Sequence, residues 1–66
     1  MKLTDLWNRL EATFGEAYAA SVARDQVFPQ LGGRTINEAL AGHVEVATVW
    51  RAVVAAYPDR VPARLR

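Results

Sequence analysis

The sequence predicts an all-α fold: a compact four-helix domain whose last two helices form a helix-turn-helix-like pair. Apolar residues recur at the three- and four-residue spacing of an amphipathic helix, most regularly from Val44 to Tyr57. Glycines that favour helix ends or turns divide the chain at Gly15, at Gly32–Gly33 and at Gly42. No segment shows the alternating apolar pattern that is typical of a strand.

Length and composition limit the chain to one small core. A domain of 66 residues buries only about 60% of its unfolded surface, and without cysteine it has neither disulfides nor thiolate metal sites. Eight basic residues against seven acidic residues leave a net charge of +1, which is not typical of a nucleic-acid-binding protein. Because the sequence has no signal peptide and no span of about 20 apolar residues, we expect a soluble, cytoplasmic protein without membrane contacts.

The first two helices are predicted over residues 4–14 and 16–28. Thr4 is a favourable N-cap for the first helix, and Gly15 is a favourable residue just after its end. The second helix should end before Pro29, because proline disfavours helical geometry in the residue that precedes it.

The third helix is predicted over residues 35–41, where Thr35 and Glu38 have the spacing of a capping box. The fourth is predicted over residues 45–57 and should end before Pro58.

The four helices are expected to form a single domain over residues 1–57. Residues 58–66 are basic and contain two prolines, so we expect a flexible C-terminal tail. The helical spacing predicts a core that includes Leu6, Leu10, Phe14, Val27, Leu40, Val49 and Val53.

The third and fourth helices match the outline of a helix-turn-helix motif. Ala39, His43, Val44 and Val49 stand at its small, turn and apolar positions, with His43 where glycine is usual because φ is often positive there. In this register the groove-facing positions are Glu45, Val46, Ala47, Trp50, Arg51 and Val54.

Most of these groove-facing residues do not suit base recognition. Arg51 is the only one that matches the side chains used to read base edges. Val46, Trp50 and Val54 instead form an apolar stripe along the fourth helix, which suits packing against protein. The stripe would contact either the core of this chain or a partner.

Several short motifs resemble a family of short actinobacterial proteins, the domain of unknown function DUF3046, over nearly the whole chain up to Tyr57. They are Leu3-Thr4 with Trp7, Phe14-Gly15, Arg24-Asp25, Leu31-Gly32-Gly33-Arg34-Thr35, Glu38-Ala39-Leu40 and Val49-Trp50-Arg51-Ala52. The resemblance implies a small cytoplasmic helical protein without an assigned activity. Members of the family are often encoded near recombination genes, which implies a link to DNA metabolism.

No group of residues predicts catalysis, a metal site or a bound cofactor. His43 is the only histidine and has no second ligand nearby in sequence. Arg24 and Asp25 are neighbours in a helix, so we expect them to point apart rather than to pair. Gly32-Gly33-Arg34-Thr35 precedes a helix and resembles an anion site, although a structural turn with an exposed arginine explains it better.

We therefore predict a non-enzymatic protein-interaction or adaptor module without a small-molecule substrate, which binds a protein partner or itself. The candidate interaction surface is Val46, Trp50, Val54 and Arg51. The alternative is a helix-turn-helix-type DNA-binding regulator linked to DNA metabolism. The candidate anion or DNA contacts are Arg34, Thr35, Arg60, Arg64 and Arg66.

Overall fold

A computed structural model describes all 66 residues of the chain. The four predicted helices are confirmed, but a short two-stranded sheet and two single 3₁₀ turns accompany them. In chain order the elements are α1 (Leu3–Phe14), α2 (Glu16–Asp25), β1 (Val27–Phe28), a 3₁₀ turn (Pro29–Leu31), β2 (Arg34–Thr35), α3 (Ile36–Ala41), α4 (Val46–Ala56) and a second 3₁₀ turn (Ala63–Leu65).

The first helix begins earlier than predicted, with Lys2 rather than Thr4 as its N-cap. The carboxylate of Asp5 accepts a hydrogen bond of 3.0 Å from the backbone N–H of Lys2. The Asp5 N–H in turn donates to the Lys2 carbonyl at 3.0 Å. Asp5 therefore satisfies the helix start from inside the first turn, and the predicted capping role of Thr4 is wrong.

The second helix ends at Asp25, three residues before the predicted end, and the prediction that the chain has no strand is wrong. Val27 and Phe28 run antiparallel to Thr35 and Arg34, respectively. The physical reason lies in Pro29, which drives the preceding residue into an extended conformation. Phe28 accordingly has φ −114° and ψ 116°.

Two consecutive glycines let the chain double back between these strands. Gly32 and Gly33 have φ values of 72° and 79°, a left-handed conformation that glycine adopts without steric cost. The backbone N–H of Gly33 donates to the carbonyl of Phe28 at 3.1 Å. The result is a tight connection that brings β2 alongside β1.

The third helix begins as predicted, with a capping box between Thr35 and Glu38. The Thr35 hydroxyl accepts from the Glu38 N–H at 3.1 Å, and the Glu38 carboxylate accepts from the Thr35 N–H at 2.8 Å. In the turn that follows α3, His43 has φ 64°, the left-handed geometry for which glycine is usual. This turn packs α4 against α3.

The core is formed by one cluster of apolar side chains from every helix. Its buried members are Leu6, Leu10, Phe14, Ala19, Ala23, Phe28, Leu31, Ile36, Ala39, Val49, Trp50, Ala52, Val53 and Val61. Five of the seven predicted core residues are among them, and Leu40 is half-buried. The prediction for Val27 is wrong: its side chain is 49% exposed, because successive side chains on a strand point to opposite sides and Phe28 occupies the inner one.

The C-terminal segment, which we expected to be a flexible tail, lies against the helices. Val61 is only 2% exposed and belongs to the core cluster. Its backbone N–H donates to the carbonyl of Tyr57 at 3.2 Å. Leu65 is half-buried against the same cluster. The contacts of residues 58–66 thus extend the core beyond α4.

The two threonines that the sequence suggests as N-caps can be tested against each other. We expect Thr35→Ala to lower the free energy of unfolding by about 1 kcal/mol, because it removes one half of the capping box. Thr4→Ala should change it by less than about 0.5 kcal/mol, because Thr4 is exposed and caps nothing. Urea unfolding followed by circular dichroism measures both. Equal effects of the two substitutions would contradict this assignment of the caps.

Candidate interaction surfaces

The apolar stripe predicted on α4 lies against the core. Trp50 is 4% exposed, and Val46 and Val54 are half-buried and pack against the core cluster. Arg51 is exposed and donates a hydrogen bond of 3.1 Å to the hydroxyl of Thr48, one turn earlier. Within this chain, Trp50 is therefore a core residue, whereas Val46 and Val54 keep part of their surface exposed.

Trp50 also fastens the C-terminal segment to α4. Its indole Nε1–H donates to the carbonyl oxygen of Leu65 at 2.8 Å. On α1, the Arg9 guanidinium lies 5.7 Å from the centroid of the same indole ring, within the range of a cation–π contact. Helix α1, helix α4 and the chain end thus meet at one aromatic side chain.

The candidate anion site before α3 has its best donors already engaged. The Thr35 N–H and hydroxyl are both used by Glu38 in the capping box. Glu38 also places a carboxylate where an anion would have to bind. Arg34 is exposed and lies beside the end of α3, with its Nη1 atom 3.4 Å from the position that a Cβ on Gly42 would take. The arginine and the helix start therefore do not converge on one point.

The arginines of the C-terminal segment, Arg60, Arg64 and Arg66, are all exposed. The Arg60 guanidinium lies 5.1 Å from the centroid of the Phe14 ring. Arg64 and Arg66 flank Leu65, whose carbonyl is bound to Trp50. Arg60 thus lies over Phe14, whereas Arg34 lies near Gly42.

The one ion pair in the protein joins Arg24 and Asp25, which we expected to point apart. The guanidinium donates to both carboxylate oxygens, at 3.1 and 3.0 Å. This is possible because Asp25 is the last residue of α2. Hydrogen bonding to Arg24 lowers the pKa of Asp25, and the same bonds raise the pKa of Arg24. Both side chains are well exposed, so the pair adds little to stability.

A cleft between α2 and the C-terminal segment, at the point where that segment follows α4, was not predicted from the sequence. It has a volume of about 430 Å³ and is lined by Phe14, Tyr18, Val22, Gln26, Tyr57 and Arg60. At its edge, Tyr18 is 69% exposed, the most exposed of the large apolar side chains. The volume falls within the range of known ligand pockets.

Aromatic contacts give the wall of the cleft a defined shape. The rings of Phe14 and Tyr57 meet edge to face, with centroids 5.1 Å apart and an interplanar angle of 87°. Phe28 supports Tyr57 from the core side at a centroid distance of 6.0 Å. Such edge-to-face pairs are favoured by the charge distribution of the rings. The part of the cleft formed by Phe14 and Tyr57 is therefore built on packed side chains.

Only one wall of this cleft could be predicted from the sequence. Tyr18 and Val22 are four residues apart on α2, beside its buried face rather than on it, so the spacing indicates one wall of the cleft. The opposite wall is Tyr57 and Arg60, which the sequence assigns to a helix end and a tail. Only the packing of that segment brings the two walls together.

Metal-binding groups and membrane-spanning helices are both absent from the structure. No three histidine, cysteine, aspartate or glutamate side chains come close enough together to hold a metal ion. His43 is exposed in its turn. No helix has the length and apolar character required to cross a bilayer.

Fold and surfaces together define a small, mostly helical protein with an aromatic cleft between a helix and the C-terminal segment. The chain belongs to the DUF3046 family, described as "Protein of unknown function", whose sequence profile matches residues 1–64. The match confirms the resemblance found in the sequence motifs and extends it into the C-terminal segment. No curated protein and no solved structure matches the chain.

The hydrogen bond between Trp50 and Leu65 can be tested by removing the donor alone. We expect Trp50→Phe to lower the free energy of unfolding by about 1–2 kcal/mol, since it deletes the Nε1–H and a small part of the buried ring. It should also speed tryptic cleavage after Arg64, because the segment loses its attachment to α4. Trp7→Phe is the matched control, because Trp7 is half-buried and its indole makes no hydrogen bond within the protein. Equal cleavage rates in the two variants would contradict this role of Trp50.

Proposed function

We propose that this protein is a non-enzymatic protein-interaction module that binds its partner through the cleft between α2 and the C-terminal segment. The observation that carries the proposal is the exposure of Tyr18, 69%, at the edge of a cleft of about 430 Å³. Tyrosine and arginine are enriched among the side chains that dominate binding energy at protein interfaces. The cleft presents Tyr18, Tyr57 and Arg60 together.

This proposal keeps the predicted adaptor role but places it on a different surface from the α4 stripe. Trp50 is buried, and Val46 and Val54 are half-buried against the core of the chain, so the stripe offers a partner little apolar surface. Tyr18, in contrast, is well exposed. Because Phe14 and Tyr57 are already packed, a partner would lose little affinity to the ordering of these two rings.

The lining of the cleft supports binding rather than catalysis. Its polar groups are the phenols of Tyr18 and Tyr57, the amide of Gln26 and the guanidinium of Arg60. None of these groups is a carboxylate, an imidazole or a thiol, the groups that most often act as general bases or nucleophiles. An amide, two phenols and a guanidinium are well suited to orient a bound segment.

Pull-down from nuclease-treated lysate of the source organism tests the proposal. We expect the unaltered protein to retain a protein partner. Tyr18→Ala should retain at least about tenfold less of that partner, as for truncation of a central interface residue. Leu3→Ala is the matched control, because Leu3 is an apolar side chain 49% exposed outside the cleft. Retention of the same partners by all three proteins would contradict the proposal.

A helix-turn-helix-type DNA-binding regulator is the second candidate, and one observation favours it. The turn between α3 and α4 has the left-handed residue of the motif, His43 at φ 64°, and leaves Arg51 exposed on α4. Two features weigh against it. The N-cap of α4 is Glu45, whose carboxylate would repel phosphates, and Trp50 is buried.

DNA binding can be measured by fluorescence anisotropy with duplex DNA over a range of salt concentrations. Because the net charge is only +1, we expect weak binding to random duplex that disappears at modest ionic strength, as counterion release predicts for a few phosphate contacts. Arg51→Ala should then have little effect. Tight, sequence-selective binding that Arg51→Ala abolishes would favour the regulator over the interaction module.

A further inference from the structure

We propose that the cleft takes an acidic segment of another protein, which inserts an apolar side chain between Tyr18 and Tyr57 and places a carboxylate on Arg60. This inference rests on the proposed function and names the chemistry of the partner. It is carried by two features of the cleft: an apolar wall of packed rings, and one cation that has no anionic partner within the protein.

The apolar part of the site has a floor and two walls. Phe14 is buried beneath the cleft, Tyr18 and Val22 form one wall along α2, and Tyr57 forms the other. Residues four apart on a helix lie about 6 Å from each other along its axis. The α2 wall therefore offers an apolar strip of about that length, enough for one large side chain but not for an extended apolar surface.

The charged part of the site is Arg60. Its guanidinium lies 5.1 Å from the Phe14 centroid and its side chain is exposed. A cation–π contact at this distance leaves guanidinium N–H groups available to bind a carboxylate in the bidentate manner.

No acidic group inside the protein neutralises this cation. The only ion pair is that of Arg24 with Asp25, so Asp59, the neighbour of Arg60 in sequence, is not within salt-bridge distance of it. The cleft lining contains no aspartate or glutamate. The charge of the site is therefore positive, which favours a segment with negative charge and disfavours a basic one.

Backbone geometry couples the two parts of the site. The N–H of Arg60 donates to the carbonyl of Tyr57 at 3.1 Å, and the N–H of Val61 donates to the same carbonyl at 3.2 Å. Because Val61 is buried in the core, this turn is held in place. The backbone of Arg60 is thus held next to the aromatic wall, from which its guanidinium can reach a carboxylate beside a bound apolar side chain.

Three small probes that share one ring test this chemistry: indole-3-acetate, indole-3-acetamide and tryptamine, which carry a negative, a neutral and a positive side group. Each is titrated into the nitrogen-15-labelled full chain and followed by nuclear magnetic resonance. We expect amide shifts at Tyr18, Val22, Tyr57 and Arg60. We expect indole-3-acetate to bind about threefold more tightly than the amide, as for an exposed ion pair, and tryptamine to bind most weakly.

Substitutions separate the two parts of the site. Arg60→Gln should abolish the preference for indole-3-acetate over the amide, whereas Arg60→Lys should retain part of it. Tyr18→Ala should weaken all three probes by a similar factor. Arg51→Gln is the matched control, since it removes an exposed arginine outside the cleft and should leave all three affinities unchanged.

Equal affinities for the three probes, a preference that survives Arg60→Gln, or no localised shifts at millimolar concentrations would each overturn the acidic-segment proposal. The pull-down with Tyr18→Ala is independent of these outcomes. If that variant loses its partner while the probes show no charge preference, the interaction module stands and its partner is not acidic. If neither experiment shows an effect of Tyr18, both proposals fail.

Discussion

The apolar face of α4 has to be shielded from water on all sides, and the arrangement of the other elements follows from that constraint. Val49 and Val53 are fully buried and Trp50 nearly so. In a chain of this length no second layer is available to cover them. Helix α1, the Pro29–Leu31 turn and helix α3 all contact α4, and the C-terminal segment closes the remaining side. Removal of any one of these elements would return a large aromatic or branched side chain to water.

Coverage of Trp50 by the C-terminal segment has a consequence for the rest of the surface. The Leu65 carbonyl satisfies the indole N–H, which would otherwise carry a desolvation cost in its buried position. The turn that starts this segment puts Arg60 on Phe14 and beside Tyr57. The same packing that completes the core therefore also forms one wall of the cleft. Stability and the proposed binding surface depend on one segment.

Membership of the DUF3046 family makes the cleft a feature to compare among related chains. The side chains that line the cleft differ in how much they contribute to the core. Phe14 and Tyr57 pack against each other and against the core, so they contribute to the stability of the fold. Tyr18 is 69% exposed and contributes little to the core. Tyr18 can therefore be substituted to test the proposed binding surface with little disturbance of the core.

Local patterns in the sequence were sufficient for the four helices, for the capping box at Thr35 and for most of the core, because these depend on spacing and on neighbours within one turn. The helix end at Asp25, the strand pair and the exposure of Val27 depend instead on Pro29 and on a second strand that follows the glycine turn. Pairing of residues distant in sequence gives no periodic signal in so short a strand. Residues 58–66 lack helical periodicity altogether, so their position against Trp50 could be seen only in the tertiary structure. The cleft likewise depends on tertiary packing, because Tyr18 and Arg60 line one site only when the turn after α4 places Arg60 over Phe14.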